Sequence, residues 1–459
     1  MGSALMAAAA QVDITPPRGT QIAGDIGRYR PAEVVIDPLF VKALVLEQDG
    51  IRLCLLSLDL LAAEASWCTE VRQKLAARLG TRPEAVLIHC TQSHAAPMIG
   101  DLAGRPASPY FPAEFPFLRG GSGAAYADQV QAGVLQAVDT AAAALGPARI
   151  GWASGIEGRI SFNRRFVMRD GRVRTHPRSG DPEIRYVEGP IDPEVGVACI
   201  SSDGDRPLTN IAMLLHFTCH PVHGYPQRHI SAGWPGAWSS GVKQSFGQEC
   251  TPLVLNGCCG NIHHANHLDP EYDDDYRRMG RLLTEDTAGL LRRLRFQDDT
   301  RLAYASEHLS IPLRSISDEQ LAAARHLLQV HPTPKWLDET AHAADWDWIY
   351  AASLLDLYDE SQQNPMADYE VQVLRIGDLA IVGFSGEPFV ELGLRVKVNS
   401  PTYPTYTVHM CNGCAGYIPT AEALRHGGYE TRTSQWSRLA PEALEIIGDG
   451  ALALLHDVF

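Results

Sequence analysis

Residues 253–267 read Leu-Val-Leu-Asn-Gly-Cys-Cys-Gly-Asn-Ile-His-His-Ala-Asn-His. Leu253 to Leu255 is the short apolar run that a buried strand needs. A turn of small residues follows, Asn256 to Gly260, and then come His263, His264 and His267. A strand that ends in a glycine turn and hands polar side chains to a loop is how open α/β sheets place chemistry at a strand's carboxyl end. Two other stretches have the same form. Ala85 to His89 feeds Cys90-Thr91-Gln92-Ser93-His94, and Thr209 to Phe217 delivers His216, His220 and His223. Leu379 to Phe384 runs into Gly386-Glu387 in the same manner. The pattern predicts an α/β fold with Leu253 opening the central strand. A solvent-facing loop is the alternative for each stretch alone; the repetition favours a shared site.

The remaining elements fall around these. Ala7 to Ile14 reads as an opening strand, and Phe40 to Leu46 with Ile51 to Leu58 as a hairpin turned at Asp49-Gly50. Arg149 to Ile156 and Val195 to Ser201 are further strands, the second followed by a turn at Asp203-Gly204. Helical spacing marks Thr69 to Leu79, Ala124 to Ala144, Pro235 to Phe246, Asp273 to Leu294, Asp318 to Val330, Asp338 to Leu357 and Pro441 to Leu455. A helix is also expected from Glu387 to Val398, with the helix dipole favouring Glu387 at its start. No repeat and no linker divides the chain.

Composition narrows the partners. The net charge of −15 repels phosphate backbones, so nucleic acid is not expected as a partner. Apolar content of 45% is enough to bury a large core. The ten cysteines have no framework spacing, which suggests reduced thiols in a cytoplasmic protein. Cys411-x-x-Cys414 lacks the second pair that a zinc site of that kind needs. The start, MGSALMAAAAQVDITPP, has no basic opening, and no signal peptide or membrane span is read in the chain. A small molecule is the expected partner, and a homo-oligomer is compatible with the sequence.

His94, the His216/His220/His223 group, the His263/His264/His267 group and Glu387 all lie at strand ends. Neutral imidazoles with a carboxylate suit zinc, and zinc with an open position lowers the pKa of water to near 7. A lone histidine is more often a satisfied structural residue; several at equivalent strand ends shift the balance.

The same stretches, taken in order, resemble the catalytic domain of the neutral, non-lysosomal ceramidase family. Val12-Asp13-Ile14-Thr15-Pro16-Pro17, then Asp37-Pro38-Leu39 with Lys42 to Glu47, then Leu56-Ser57-Leu58-Asp59-Leu60 are similar to its first strands. Thr91-Gln92-Ser93-His94-Ala95-Ala96-Pro97 resembles its Thr-His-Thr-His-Ser-Gly-Pro, and Asn163-Arg164 its Asn-Arg pair. His216 to Pro221 resembles the segment with the second zinc histidine, aligned with His220, and Gly386-Glu387 the site of the zinc glutamate. Tyr417-Ile418-Pro419-Thr420-x-Glu422, followed by Gly428-Tyr429-Glu430, is similar to Tyr-Val-Thr-Thr-x-Glu-Glu and Tyr-Glu-Gly. The match runs from about Gln11 to Gly450.

The resemblance implies a single α/β catalytic domain over residues 1–459, with a mixed central sheet flanked by helices and no C-terminal immunoglobulin-like domain. It implies one zinc held by His94, His220, Glu387 and Tyr417. Arg164 would face the scissile carbonyl and Tyr429 the substrate. Two departures stand out. The family has Gly-Asp-Val-Ser-Pro-Asn with a nucleophilic serine where this chain has Gly260-Asn261-Ile262-His263-His264-Ala265, so His263 holds the serine position. Gln92 replaces the first histidine of the family pair, which leaves open whether position 92 or His94 faces the metal, and whether His263 is ligand or acid–base group.

The expectation is a zinc-dependent hydrolase of an amide or related acyl bond in a small polar substrate. His263, Arg164, Tyr429 and Asn261 are its catalytic candidates, with Asn261 and Asp59 as acceptors behind the histidines. The alternative is a metal-dependent carbohydrate enzyme, a lyase or glycoside hydrolase acting on uronic-acid sugars. A binding relic without turnover is the third.

Overall fold

The computed structural model describes all residues except 1–2, 103, 106–107 and 204–208. Its largest sheet has nine strands: β1 (Met6–Asp13), β2 (Phe40–Gln48), β3 (Ile51–Leu58), β4 (Val86–Cys90), β5 (Gly146–Ile156), β6 (Glu194–Ser202), β7 (Asn210–Phe217), β8 (Thr251–Asn256) and β9 (Arg295–Phe296). The order is β8-β7-β6-β5-β1-β2-β3-β4, with β9 beside β5. The β2–β3 hairpin turns at Asp49 and Gly50, both at positive φ. β1 and β5 share only the pairs Met6–Pro147 and Ala7–Gly146. A second sheet of four strands follows: β10 (Leu302–Pro312), β11 (Met366–Ile376), β12 (Leu379–Phe384) and β13 (Thr405–Val408), paired in that order.

Within these two sheets most pairings are antiparallel, and three are parallel: β3 with β4, β7 with β8, and β12 with β13. A parallel pair needs a crossover, and each has a helix for it. The helices are Ala65–Leu79, Gly233–Phe246 and Val390–Asn399. Leu46, Leu55, Ile150, Leu214 and Leu253 of the large sheet pack with Leu374, Ile381 and Tyr406 of the second sheet in one buried cluster. That packing points the carboxyl ends of β4, β7, β8, β12 and β13 into one region.

Strands and helices are present where expected, with three differences. β8 is fully buried yet ends the strand order rather than standing at its centre. Its outer edge is covered by side chains instead of a ladder: Ser57 Oγ donates to Val254 O at 2.8 Å. The helix expected from Asp338 begins at Trp346, because Asp345 accepts from the Asp347 and Trp348 N–H groups and caps it there. Glu387 precedes its helix. Glu387–Pro388 forms a short parallel strand with Tyr417–Ile418, and the helix starts at Val390. The Asp203-Gly204 turn lies outside the described residues. All ten cysteines are free, and no helix among the described residues is long and apolar enough to cross a membrane.

Candidate metal and hydrolytic site

Two buried polar side chains, His89 and Asn256, knit the strand ends together. His89 at the end of β4 donates from Nδ1 to His409 O at 2.7 Å and accepts on Nε2 from Asn256 N–H at 3.1 Å. The Asn256 side chain donates to Thr91 O and Cys219 O and accepts from Cys219 N–H. Each polar atom of these groups is satisfied, as burial requires. The loops after β4, β7, β8 and β13 are thereby fixed against one another.

His94 and His220 meet across this junction with their Nε2 atoms 2.8 Å apart. His94 Nδ1 lies 3.1 Å from Gly24 O, and His220 Nδ1 lies 3.4 Å from Cys259 O. Gly24 permits this approach, because a Cβ there would sit 2.4 Å from His94 Nδ1. A carbonyl only accepts, so each Nδ1 needs a proton, and the Nε2 pair needs a third. Two neutral imidazoles carry two protons. Burial drives the His94 pKa down to about 3 and holds His220 far below its usual value, so neither supplies the extra one. Some pair of lone pairs must face each other unless a cation stands between them.

Glu387 approaches the same ring nitrogen of His220 that faces His94, with Oε2 3.7 Å from His220 Nε2. That oxygen is buried and has no hydrogen-bond partner. Burial raises the Glu387 pKa to about 7, and the charge of Arg164 with contacts from Gln92 and Tyr417 offsets part of the rise. Glu387 and Tyr417 are cross-strand partners, which sets both side chains on one face. Gly260 is needed beneath them: a Cβ would come within 2.4 Å of Glu387 O.

Arg164 is buried beside them. Its Nη2 donates to Gly260 O at 2.6 Å and Tyr417 Oη at 3.2 Å, while Nε donates to Glu430 Oε1 at 2.8 Å. Arg165 shares the same carboxylate through Oε2 at 2.9 Å and also pairs with Glu188. Tyr429 lies edge-on to Tyr417 with ring centroids 5.7 Å apart. A small cavity of about 30 Å³ is bordered by Gly24, Gln92, His94, Glu387, Tyr417 and Tyr429. That volume holds a water-sized species and little more.

Of the residues expected from sequence, His94, His220, Glu387, Tyr417, Arg164 and Tyr429 come together. Gln92 joins them without displacing His94: His94 meets His220, and Gln92, at a positive φ of 70°, reaches Glu387. Asn261 faces elsewhere. Its side chain accepts from Val390 N–H at 2.9 Å and donates to Glu391 at 3.0 Å, so it anchors the following helix. Asp59 is committed to Lys42 Nζ at 2.9 Å instead of standing behind a histidine. His216 stacks on Tyr406 in the core. His263 is buried among other rings, edge-on to His176 and stacked on His264. Sequence reading missed Glu430 and His176. Glu430 could have been found as the one carboxylate in the Gly428-Tyr429-Glu430 segment, while His176 sits in a polar stretch without pattern.

The chain is similar to two solved structures over nearly its whole length. One is neutral ceramidase from Pseudomonas aeruginosa, at a TM-score of 0.69 and 17% identity, covering 99% of this chain and 75% of the other. The second is a ceramidase complexed with C2, at 0.70 and 16%, covering 98% and 75%. The fold is that of the neutral ceramidases. No family model matches the chain, and no curated protein matches it by sequence. The neutral ceramidase fold is therefore carried here by a sequence only 16–17% identical to those two proteins. Within that fold, the His94–His220 junction lies at the carboxyl ends of β4 and β7, two strands that each pair in parallel with a neighbour.

Proposed function

We propose that the chain is a zinc-dependent hydrolase that cleaves an amide or related acyl bond in a small polar substrate. The observation that carries this reading is the pair of Nε2 atoms facing each other at 2.8 Å beside the unpartnered Oε2 of Glu387. His94, His220, Glu387 and Tyr417 would hold the ion: two imidazoles, a carboxylate and a phenol form a donor set that suits zinc. When bound, zinc supplies Lewis acidity and acidifies water to near neutral pH.

The chain's own groups do the rest. Arg164 is held charged by Glu430 and presents its guanidinium beside Tyr417, where it steadies negative charge gathering on a carbonyl oxygen. Tyr429 borders the cavity and is partly exposed, so it offers a hydroxyl to the substrate's outer part. His263 fills the position of the family serine. It brings a ring nitrogen in place of a hydroxyl, so the serine ester intermediate is not available at that position, and its role in this reading is to carry a proton. Asn261 supports the site through the helix it anchors.

The test is hydrolysis of a panel of short N-acyl compounds by metal-stripped protein and by protein reloaded with one equivalent of zinc, with uronic-acid oligosaccharides as the comparison set. Cleavage of N-acyl compounds that vanishes on stripping and returns with zinc supports the reading. Full N-acyl activity after stripping, or cleavage of the oligosaccharides alone, overturns it.

A further inference from the structure

Beyond the junction just described lies a second group of imidazoles. One nitrogen from each of His176, His263 and His267 falls within 4.8 Å of the others. We propose that these three residues form a second metal site, for a zinc-class divalent ion, built from different side chains than the His94–His220 pair. It stands on its own geometry and does not depend on the function proposed above.

The three rings are brought together by backbone bonds between distant segments. His263 ends a two-residue strand paired with Phe162. His176 N–H donates to Arg164 O at 3.0 Å, and Gly180 N–H donates to His267 O at 2.9 Å. His176 itself sits at a φ of 52°, a left-handed conformation uncommon outside glycine and asparagine. His176 Nδ1 lies 3.2 Å from His267 Nε2, close to the roughly 3.3 Å that separates two nitrogens on one tetrahedral zinc with bonds of about 2.05 Å. His263 meets His176 edge-on, with ring centroids 4.5 Å apart.

The proton inventory is compatible. The Pro177 carbonyl accepts from the His267 ring, and a proton on Nδ1 leaves the Nε2 lone pair for His176 Nδ1, 3.2 Å away. A carbonyl behind a ligand histidine is the usual support for coordination. In the free protein the His176 Nδ1 proton lies on that lone pair, and coordination moves it to the opposite nitrogen. His263 Nδ1 accepts from Ala265 N–H at 2.9 Å, so its proton is on Nε2. Coordination through Nε2 shifts that proton to Nδ1 and turns the ring away from Ala265, whose half-buried N–H passes to water. Three neutral imidazoles without a carboxylate select zinc, cobalt, nickel or copper over magnesium and calcium, which want oxygen. While such an ion is bound, His263 Nε2 is a ligand and takes up no proton, so its two roles belong to differently loaded forms of the protein.

The experiment is titration of the metal-stripped full chain with Co²⁺, followed by visible absorption and by total metal after dialysis. Two equivalents are expected for the wild type. One is expected for the His176→Asn/His267→Ala variant, in which asparagine tolerates the left-handed backbone. His220→Ala should lose the other equivalent and keep this one, which separates the two sites. Equal stoichiometry in the wild type and the double variant overturns the proposal. If the double variant fails to fold by circular dichroism, His267→Ala alone decides. A second equivalent weakened by at least about tenfold supports the site, and an unchanged one overturns it.

Discussion

The backbone N–H of Asn256 donates to Nε2 of His89 at 3.1 Å, joining the carboxyl end of β8 to that of β4. Both residues are fully buried, and the other face of the ring donates to His409 O. A neutral imidazole satisfies both contacts; an imidazolium satisfies only one. Burial, with His409 nearby, lowers the His89 pKa from 6.5 to about 3. The folded form therefore binds fewer protons than the unfolded form between these values. The stability that His89 contributes is present above pH 6.5 and is lost as pH falls toward 3, by on the order of a few kcal/mol. Urea unfolding at pH 7, 5.5 and 4 should show this fall. His89→Gln should be less stable at pH 7 and flatter with pH; an unchanged slope would mean that His89 is not held neutral.

Asp286 has the opposite sign. Burial and the neighbouring Glu157 raise its pKa from 3.8 to about 6. The folded state holds the proton more tightly, so stability declines as pH rises through that window. Asp286→Asn removes the decline and should raise the unfolding midpoint at pH 7, by about 1 kcal/mol or less because the group is partly solvated. A lower midpoint for the variant at pH 7 would contradict the assignment.

Glu430 holds two buried guanidiniums, one on each oxygen. Glu430→Gln leaves Arg164 and Arg165 without that charge. Removing one partner of a buried ionic group costs about 3–5 kcal/mol. Denaturant unfolding of the variant measures this directly, and a loss under about 1 kcal/mol would show that the cluster is more hydrated than its burial indicates.

Arg164→Lys keeps a charge but loses the fork that spans Gly260, Tyr417 and Glu430. On the proposed substrate class it should lower kcat by about 10²–10³-fold with a smaller change in KM, as loss of a group that acts on developing charge does. A rise in KM at constant kcat would assign Arg164 to substrate binding instead.

Much of this arrangement is legible in the residues. β4, β7, β8 and β12 are compact apolar runs closed by turn residues, and such local signals survive in the fold almost unchanged. The position of β8 was not legible, because its cover comes from Ser57 and His89, two residues far away in the chain. Glu387 looked like the first turn of a helix for the same reason. Its N–H goes to Gly416 O at 2.7 Å, a partner that no local pattern announces. Asn261 has the side chain of an active-site residue and spends both ends on the Val390 helix. The rings of His176 and His267 meet only because the loops that carry them are stapled by backbone bonds between Gly180 and His267 and between His176 and Arg164.

The most direct measurement is a crystal structure of the zinc-loaded protein with anomalous data at the zinc edge. An anomalous peak is expected in contact with Nε2 of both His94 and His220, with Glu387 and Tyr417 completing the group. Rings still facing each other with no peak between them, in protein shown to contain zinc, would contradict it.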